Sequence, residues 1–379
     1  MISKLRPFDK VFLGIVSAVA IFGLLMVYEA SVVYASQSFG GKYHFLLLQF
    51  GWMLIGFIGM FFISRIDLML IKKYAPHLFV FSLFLLAFIL FPTWFAPSVY
   101  GAKRWLVINP PPFSAFPFIG RISLQPSEFA KLVSIVFFAS FLTSPKFKGK
   151  GVWASILKFN IALLIASILI FIEPDFTTAF ILVVILLVMY YISDGSLLYF
   201  LVSGPLITLL GTLYAMSAKY RMERIQTLLN PESMDKMGAG YHIRQIMISI
   251  GSGGFFGLGL GHSRQKYAYL PEVTTDSIFA IIGEEFGFIG TVLVVVAFCA
   301  LILRGLKIAQ KATDPFSSLL VSGIITWVCV QTFINLGAMT RMLPLTGVPL
   351  PLISYGGSSV IFMLWGLGLV LNVSRGNID

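Results

Sequence analysis

The fold this sequence predicts is an all-α bundle of about ten helices that cross a membrane, and three observations predict it. Of 379 residues, 58% are hydrophobic and 11% charged, whereas an ordinary soluble domain carries roughly a quarter charged residues; the mean hydropathy is +0.92. Near-continuous apolar runs of about 20 residues recur along the chain, the length that spans a hydrocarbon core about 30 Å thick at 1.5 Å per residue. The runs do not alternate in and out as barrel strands would, so each span satisfies its own backbone as a helix.

Taken in order, the spans fall at 11–35, 44–64, 75–92, 126–144, 152–173, 174–193, 196–217, 276–303, 316–337 and 353–373. The first is too long for a cleaved signal peptide and no small-residue cleavage site follows it, so it is expected to remain. Arg65, Lys72 and Lys73 follow the second span, and a Pro-, Gly- and aromatic-rich loop at 93–125 follows the third. The fourth opens on LQPSEFAKL. Pro126 suits the first helical position, Glu128 lies where the helix dipole favours an anion, and Lys131 follows three residues later on the same face. A capped helix with a local ion pair would read the same way. A long loop at 218–275 separates the seventh and eighth spans.

Lys and Arg near the span ends set the orientation. Lys4, Arg6, Lys10, Arg65, Lys72, Lys73, Lys146, Lys148, Lys150, Arg304, Lys307 and Lys311 share one side if the count is ten, which places both termini in the cytoplasm. The chain reads as one membrane domain, 1–379, with the loops at 93–125 and 218–275 outside. Those loops nonetheless hold Lys103, Arg104, Arg121, Lys219, Arg221, Arg224, Lys236, Arg244, Arg264 and Lys266. Such a concentration suits an anionic substrate at the outer face; attraction to anionic lipid headgroups is the alternative. The net charge of +11 does not point to nucleic acid, because no soluble basic domain is available to hold it. Cys299 and Cys329 lie within spans and read as packing residues, and the four histidines have no paired spacing that suggests zinc.

Three stretches interrupt the apolar pattern. GSGGFFGLGLG at 251–261 lacks the strand and helix of a dinucleotide site; with IRQIMISIG before it, it reads as a re-entrant or interfacial helix ended by glycines. YLPEVTTDSIFAIIGEEFG, 269–287, holds Glu272, Asp276, Glu284 and Glu285. Thr274, Thr275 or Asp276 is expected to cap the eighth span, and Asp276 itself reads equally as a cap or as a catalytic base. Glu284 and Glu285 lie two turns, about 12 Å, deeper and need a partner or a wet cavity; Lys131 is the expected partner. MLPLTGVPLPLISYGGSS, 342–359, with Ser354 in its broken stretch, is irregular backbone of the kind tolerated at membrane depth where it lines a cavity. A helix entry packed through small residues is the other reading.

These segments resemble the SEDS family (shape, elongation, division and sporulation), the RodA and FtsW type of bacterial cell-wall polymerase. GAKRW at 101–105, QPSEFAKL at 125–132, EPD at 173–175, GSGGFFGLGLGHSRQK at 251–266, YLPEVTTDSIFAIIGEEFGFIG at 269–290 and PLTGVPLPLISYGGSS at 344–359 match its characteristic stretches in order, over essentially the whole chain. The resemblance implies a ten-helix membrane fold and a peptidoglycan glycosyltransferase that polymerises lipid II, with inversion, at the outer face of the bacterial inner membrane. Asp276 matches the family's essential aspartate and is the candidate base. Arg104, Glu128, Lys131, Arg224, Arg264, Lys266, Glu272 and Ser354 are candidates to bind substrate. A divalent cation, Mg or Mn, is an alternative source of positive charge, with Asp276 as its candidate ligand. The chain departs from the family where HTDF is usual and Thr274, Thr275, Asp276 and Ser277 stand, at Glu29 and Arg341, and in the longer insertion NPPPFSAFPF.

The implied partner, besides lipid II and membrane lipids, is a class B penicillin-binding protein, a transpeptidase. Gly283, Gly287 and Gly290 offer a close-approach surface for it, or serve packing within the chain. Two other classes remain: a lipid-linked oligosaccharide flippase, which predicts a polar path to the cytoplasm, and a noncatalytic scaffold, for which Asp276 would be dispensable.

Overall fold

The computed structural model describes residues 8–91, 95–97, 102–107, 109, 123–148, 152–193, 199, 222, 226–228, 239–267 and 269–376. Its helices are α1 (Lys10–Phe39), α2 (His44–Ile63), α3 (Leu68–Leu90), α4 (Pro126–Leu142), a single turn α5 (Pro145–Lys148), α6 (Val152–Ile172), α7 (Phe176–Ile192), α8 (Ala239–Ser252), α9 (Ile278–Gln310), α10 (Pro315–Met339) and α11 (Gly357–Gly376). Helices α1–α4, α6, α7 and α9–α11 answer to nine of the ten predicted spans; the seventh, 196–217, lies outside the described residues apart from Tyr199. Six of these helices, α1, α2, α3, α9, α10 and α11, are long and apolar enough to cross a membrane. The protein is a polytopic helical membrane protein.

Burial sorts the helices into a centre and a rim. Helix α10 packs against α4, α7, α9 and α11, and α11 also packs on α2 and α4. Trp327, Phe138, Phe298 and Ile135 are wholly enclosed there. Ile21, Leu47, Phe84 and Val296, on rim helices, are exposed, as residues facing lipid would be. At the α2–α11 contact a side chain at Gly56 or Gly59 would meet Leu364 or Trp365, so small residues set the approach.

Two boundaries differ from the sequence reading for local reasons. Helix α3 starts at Leu68, seven residues before the predicted start, because Asp67 Oδ1 accepts from Met69 N at 2.9 Å and caps it. Lys72 and Lys73, which read as a loop, lie within the helix, as does Pro76. Helix α9 begins at Ile278 and is broken at Gly287, whose φ of 65° and ψ of −160° are not helical. The segment between α3 and α4 contributes a short antiparallel ladder, β1 (Leu106–Val107) with β2 (Ser123–Leu124), pairing Leu106 with Leu124. It sets Arg104 and Trp105 just ahead of the start of α4.

Candidate active site

The start of α4 builds one wall of a cavity of about 770 Å³. Pro126 opens the helix and Glu128 and Lys131 fall on its buried face, 3% and 1% exposed. Lys131 Nζ lies 2.8 Å from Glu128 Oε1, 3.4 Å from Gln331 Oε1 and 4.9 Å from the centre of the Trp327 ring. The ammonium is therefore held by a carboxylate, an amide oxygen and a π-face, the partners a buried cation requires. Glu128 Oε2 has no hydrogen-bond partner among the described residues, which leaves an acceptor at the cavity wall.

The opposite wall is the turn between α6 and α7. Arg104 Nε donates to the Glu173 carbonyl at 3.3 Å, and its Nη2 donates to the Pro174 carbonyl. Asp175 caps α7 through Oδ1, accepting from Thr178 N at 3.2 Å, while Oδ2 accepts from Gln125 Nε2 at 3.2 Å. Arg104, Trp105, Gln125, Glu128, Lys131, Asp175, Thr178, Thr275 and Tyr355 all line the space.

Asp276 sits beside this cavity, next to the lining residue Thr275. The Thr275 hydroxyl lies 2.9 Å from Glu272 Oε2 and 3.2 Å from Asp276 Oδ1, and Asp276 is 7% exposed. The expected cap role is corrected: the N-cap of α9 is Ser277, whose side chain makes no capping bond and instead lies 2.7 Å from His242 Nε2. The Asp276 carboxylate is thus not consumed in closing the helix end.

The expected pairing of Lys131 with Glu284 or Glu285 is also corrected. Those carboxylates face a hairpin formed by α8 and residues 253–267, which runs along the first half of α9. Glu285 Oε1 lies 3.3 Å from Lys266 Nζ, which lies 3.4 Å from Glu29 Oε2. Glu284 accepts from Ser263 Oγ at 2.6 Å and from Arg264 N at 2.9 Å. At the tip, Leu258 N and Gly259 N donate to the Glu284 and Glu285 carbonyls, and Phe288 N and Ile289 N donate to those of Gly254 and Phe255. The glycines make this crossing: a Cβ at Gly253 would overlap the Gly283 carbonyl, and one at Gly257 the Glu285 carbonyl. Gly283 and Gly287 therefore serve packing within the chain, the alternative to a partner surface; at Gly290 a Cβ would meet Phe286.

Of the residues read from sequence, Arg104, Glu128 and Lys131 come together in the cavity, with Asp276 at its edge. Lys266 is buried in the hairpin cluster, and the Arg264 side chain is exposed. Glu272 is exposed beside Thr275. Ser354 is buried, its hydroxyl accepting from Leu350 N at 2.8 Å. Arg224 lies outside the described residues. The sequence reading passed over three buried amides that hold the 343–356 segment. Gln49 Nε2 donates to the Ser354 carbonyl and its Oε1 accepts from Gly356 N. Gln331 Nε2 donates to the Pro349 carbonyl, and Asn335 Nδ2 to that of Val348. Uncharged polar residues within apolar spans were the available signal.

The FtsW/RodA/SpoVE family model, described as cell cycle protein, matches residues 9–378. Stage V sporulation protein E of Bacillus subtilis is 40% identical over 357 residues, 93% of this chain and 93% of its own. A probable peptidoglycan glycosyltransferase FtsW of Trichlorobacter lovleyi is 35% identical over 373 residues, 98% of this chain and 94% of its own. Among solved structures, one reported for the structural coordination of polymerization and crosslinking by a peptidoglycan synthase complex superposes with a TM-score of 0.78 at 25% identity, covering 98% of this chain and 99% of that one. Thermus thermophilus rod shape determining protein RodA shares the fold, with a TM-score of 0.68 at 24% identity over 98% of each chain.

Proposed function

The chain belongs to the FtsW, RodA and SpoVE family of cell cycle proteins, and from that premise we propose how its cavity works. The protein is a peptidoglycan glycosyltransferase that polymerises lipid II into glycan strands for cell elongation or division. The observation that carries the reading is the one cavity lined by Arg104, by Thr275 of the Asp276 turn and by the buried Glu128–Lys131 pair.

In this reaction the hydroxyl of one lipid-linked disaccharide attacks the anomeric carbon of another, whose lipid diphosphate leaves with inversion. Asp276 takes the hydroxyl proton, a role worth about 10²–10⁴ in rate. Lys131 and Arg104 face the diphosphate, whose charge grows as the bond breaks; fixed cations in a water-poor cavity stabilise that change without reorganising. Glu128 holds Lys131 in place. Confinement of both lipids to the bilayer reduces the entropic cost of the encounter. The Glu272 and Asp276 carboxylates flank the Thr275 hydroxyl, a donor set suited to Mg or Mn, since Mg habitually takes one or two carboxylates plus substrate phosphates. Such a cation, when bound, would neutralise diphosphate charge.

The cavity opens to the outer face of the bacterial inner membrane in this reading, with both termini in the cytoplasm, and the partner is a class B penicillin-binding protein that crosslinks the strands. The relatives' names and the peptidoglycan synthase complex support it. The test is polymerisation of labelled lipid II by purified protein, alone and with the transpeptidase. Asp276→Asn should remain folded and make no polymer; near-normal chains from that variant would remove Asp276 from the mechanism.

A further inference from the structure

One face of α10 touches both halves of the site. Trp327, Gln331 and Asn335 recur every fourth residue, so they stand above one another about 6 Å apart. All three are buried. Gln331 Oε1 accepts from Trp327 Nε1 at 2.8 Å and from Lys131 Nζ at 3.4 Å, while its Nε2 donates to the Pro349 carbonyl at 3.0 Å. One turn on, Asn335 Nδ2 donates to two carbonyls, that of Asp276 at 2.9 Å and that of Val348 at 2.8 Å. Both partners are pure acceptors, which fixes the amide orientation, and both Asn335 donors are used. The two amides also reach consecutive carbonyls of the same irregular segment, whose Tyr355 N donates to the Thr274 carbonyl at 2.8 Å.

We propose that Asn335 and Gln331 are positioning residues that set the Asp276 carboxylate against the Lys131 ammonium. Neither acts on substrate. Asn335 fixes the Asp276 turn by its main chain, two bonds from the side chain that works as base, and Gln331 fixes the cation. Helix α10 gives both a common frame, so their separation is that of one helical turn. The 348–349 carbonyls close the frame from the other side. The amide is the group this task requires. A carboxylate could not donate to the two carbonyls, and an apolar side chain would leave them unsatisfied in a water-poor interior.

The inference deepens the glycosyltransferase reading and rests on it for its kinetic arm. Asn335→Asp keeps the shape and loses both donors; Asn335→Gln keeps both donors one methylene farther out. With lipid II as substrate, Asn335→Asp should lower kcat about 10²-fold, the cost of a small displacement of a reacting group, with KM within a few-fold of the parent. Asn335→Gln should lose less. Gln331→Leu leaves the bond to the Asp276 carbonyl intact and should act through Lys131, lowering kcat more than it raises KM and leaving exchange at 274–277 unchanged. Amide hydrogen exchange on the same samples reads placement without turnover: Asn335→Asp should speed exchange at 274–277 and leave it unchanged in the middle of α10. Wild-type kcat in Asn335→Asp, unchanged exchange at 274–277, or losses in all three variants that merely follow their thermal midpoints would overturn the proposal. If the parent itself makes no polymer, the glycosyltransferase reading falls, and the exchange measurement still decides whether Asn335 holds the Asp276 turn.

Discussion

Among the described residues sit two buried lysine–glutamate pairs, similar in sequence signal and opposite in setting. Lys131 and Glu128 open onto a cavity of about 770 Å³ and leave Glu128 Oε2 without a partner among the described residues. Lys266 lies between Glu285 and Glu29, donates to the Gly261 carbonyl at 2.8 Å and does not line that cavity. Breaking a buried pair by removing one partner is destabilising in either place. What separates them is the cavity, since Glu285 Oε2 is likewise without a partner among the described residues. A pair that lines open space can serve a substrate; one whose cation is shared by two carboxylates and a carbonyl ties segments together.

The sharpest way to break this comparison is to remove each cation in turn. Lys266→Met strands Glu285 and Glu29 without their cation and should cost about 3–5 kcal/mol of stability, read from the thermal midpoint in detergent, while protein that stays folded keeps its specific activity. Equal stability with lost polymerisation would move Lys266 into the substrate site. Lys131→Met should instead lower kcat about 10²–10³-fold per folded molecule, the usual effect of deleting one fixed charge partner of a transition state. Retained turnover would reduce Glu128–Lys131 to a second tie. The glycine crossing should give a smaller effect: Gly287→Ala places a Cβ against the Gly257 backbone at a φ of 65°, costing about 1–3 kcal/mol, and a neutral result would show that the hairpin tip adapts. The baseline is the Asp9–Arg304 pair, 2.8 Å apart with Arg304 38% exposed. Arg304→Ala should cost under about 1 kcal/mol and leave polymerisation unchanged; a loss as large as that of Lys266→Met would erase the distinction between exposed and buried pairs.

The sequence disclosed depth well and azimuth poorly. Hydropathy located nine described spans, and the Pro126 signal placed the start of α4 where it is. Glu284 and Glu285 read as lying about two turns below Asp276, and Lys131 as their partner because it is a basic residue well inside a span. Depth follows from rise per residue, but which helices stand side by side does not. Helix α10 packs against both α4 and α9, which carry the residues paired on the sequence alone. The Asp276 candidate came from a charge out of place in an apolar chain, a signal any ionisable group gives. Gln331 and Asn335 carry no charge and lie in a span that stays apolar on average, so their convergence on Lys131 and Asp276 became visible only once the neighbouring helices were in place.

The glycine crossing at the break in α9 has a consequence for the order in which the molecule is assembled. Residues 239–267 leave the ribosome before α9 exists. Until it does, the amides of Leu258 and Gly259 lack the Glu284 and Glu285 carbonyls that receive them, and Lys266 lacks Glu285. Exposed backbone donors and a bare ammonium are costly in hydrocarbon, so the hairpin waits in water or among headgroups while α9 is inserted. The hairpin contacts at Glu284 and Glu285 can form only once α9 is present, so they close after the segments that precede α9 have been made.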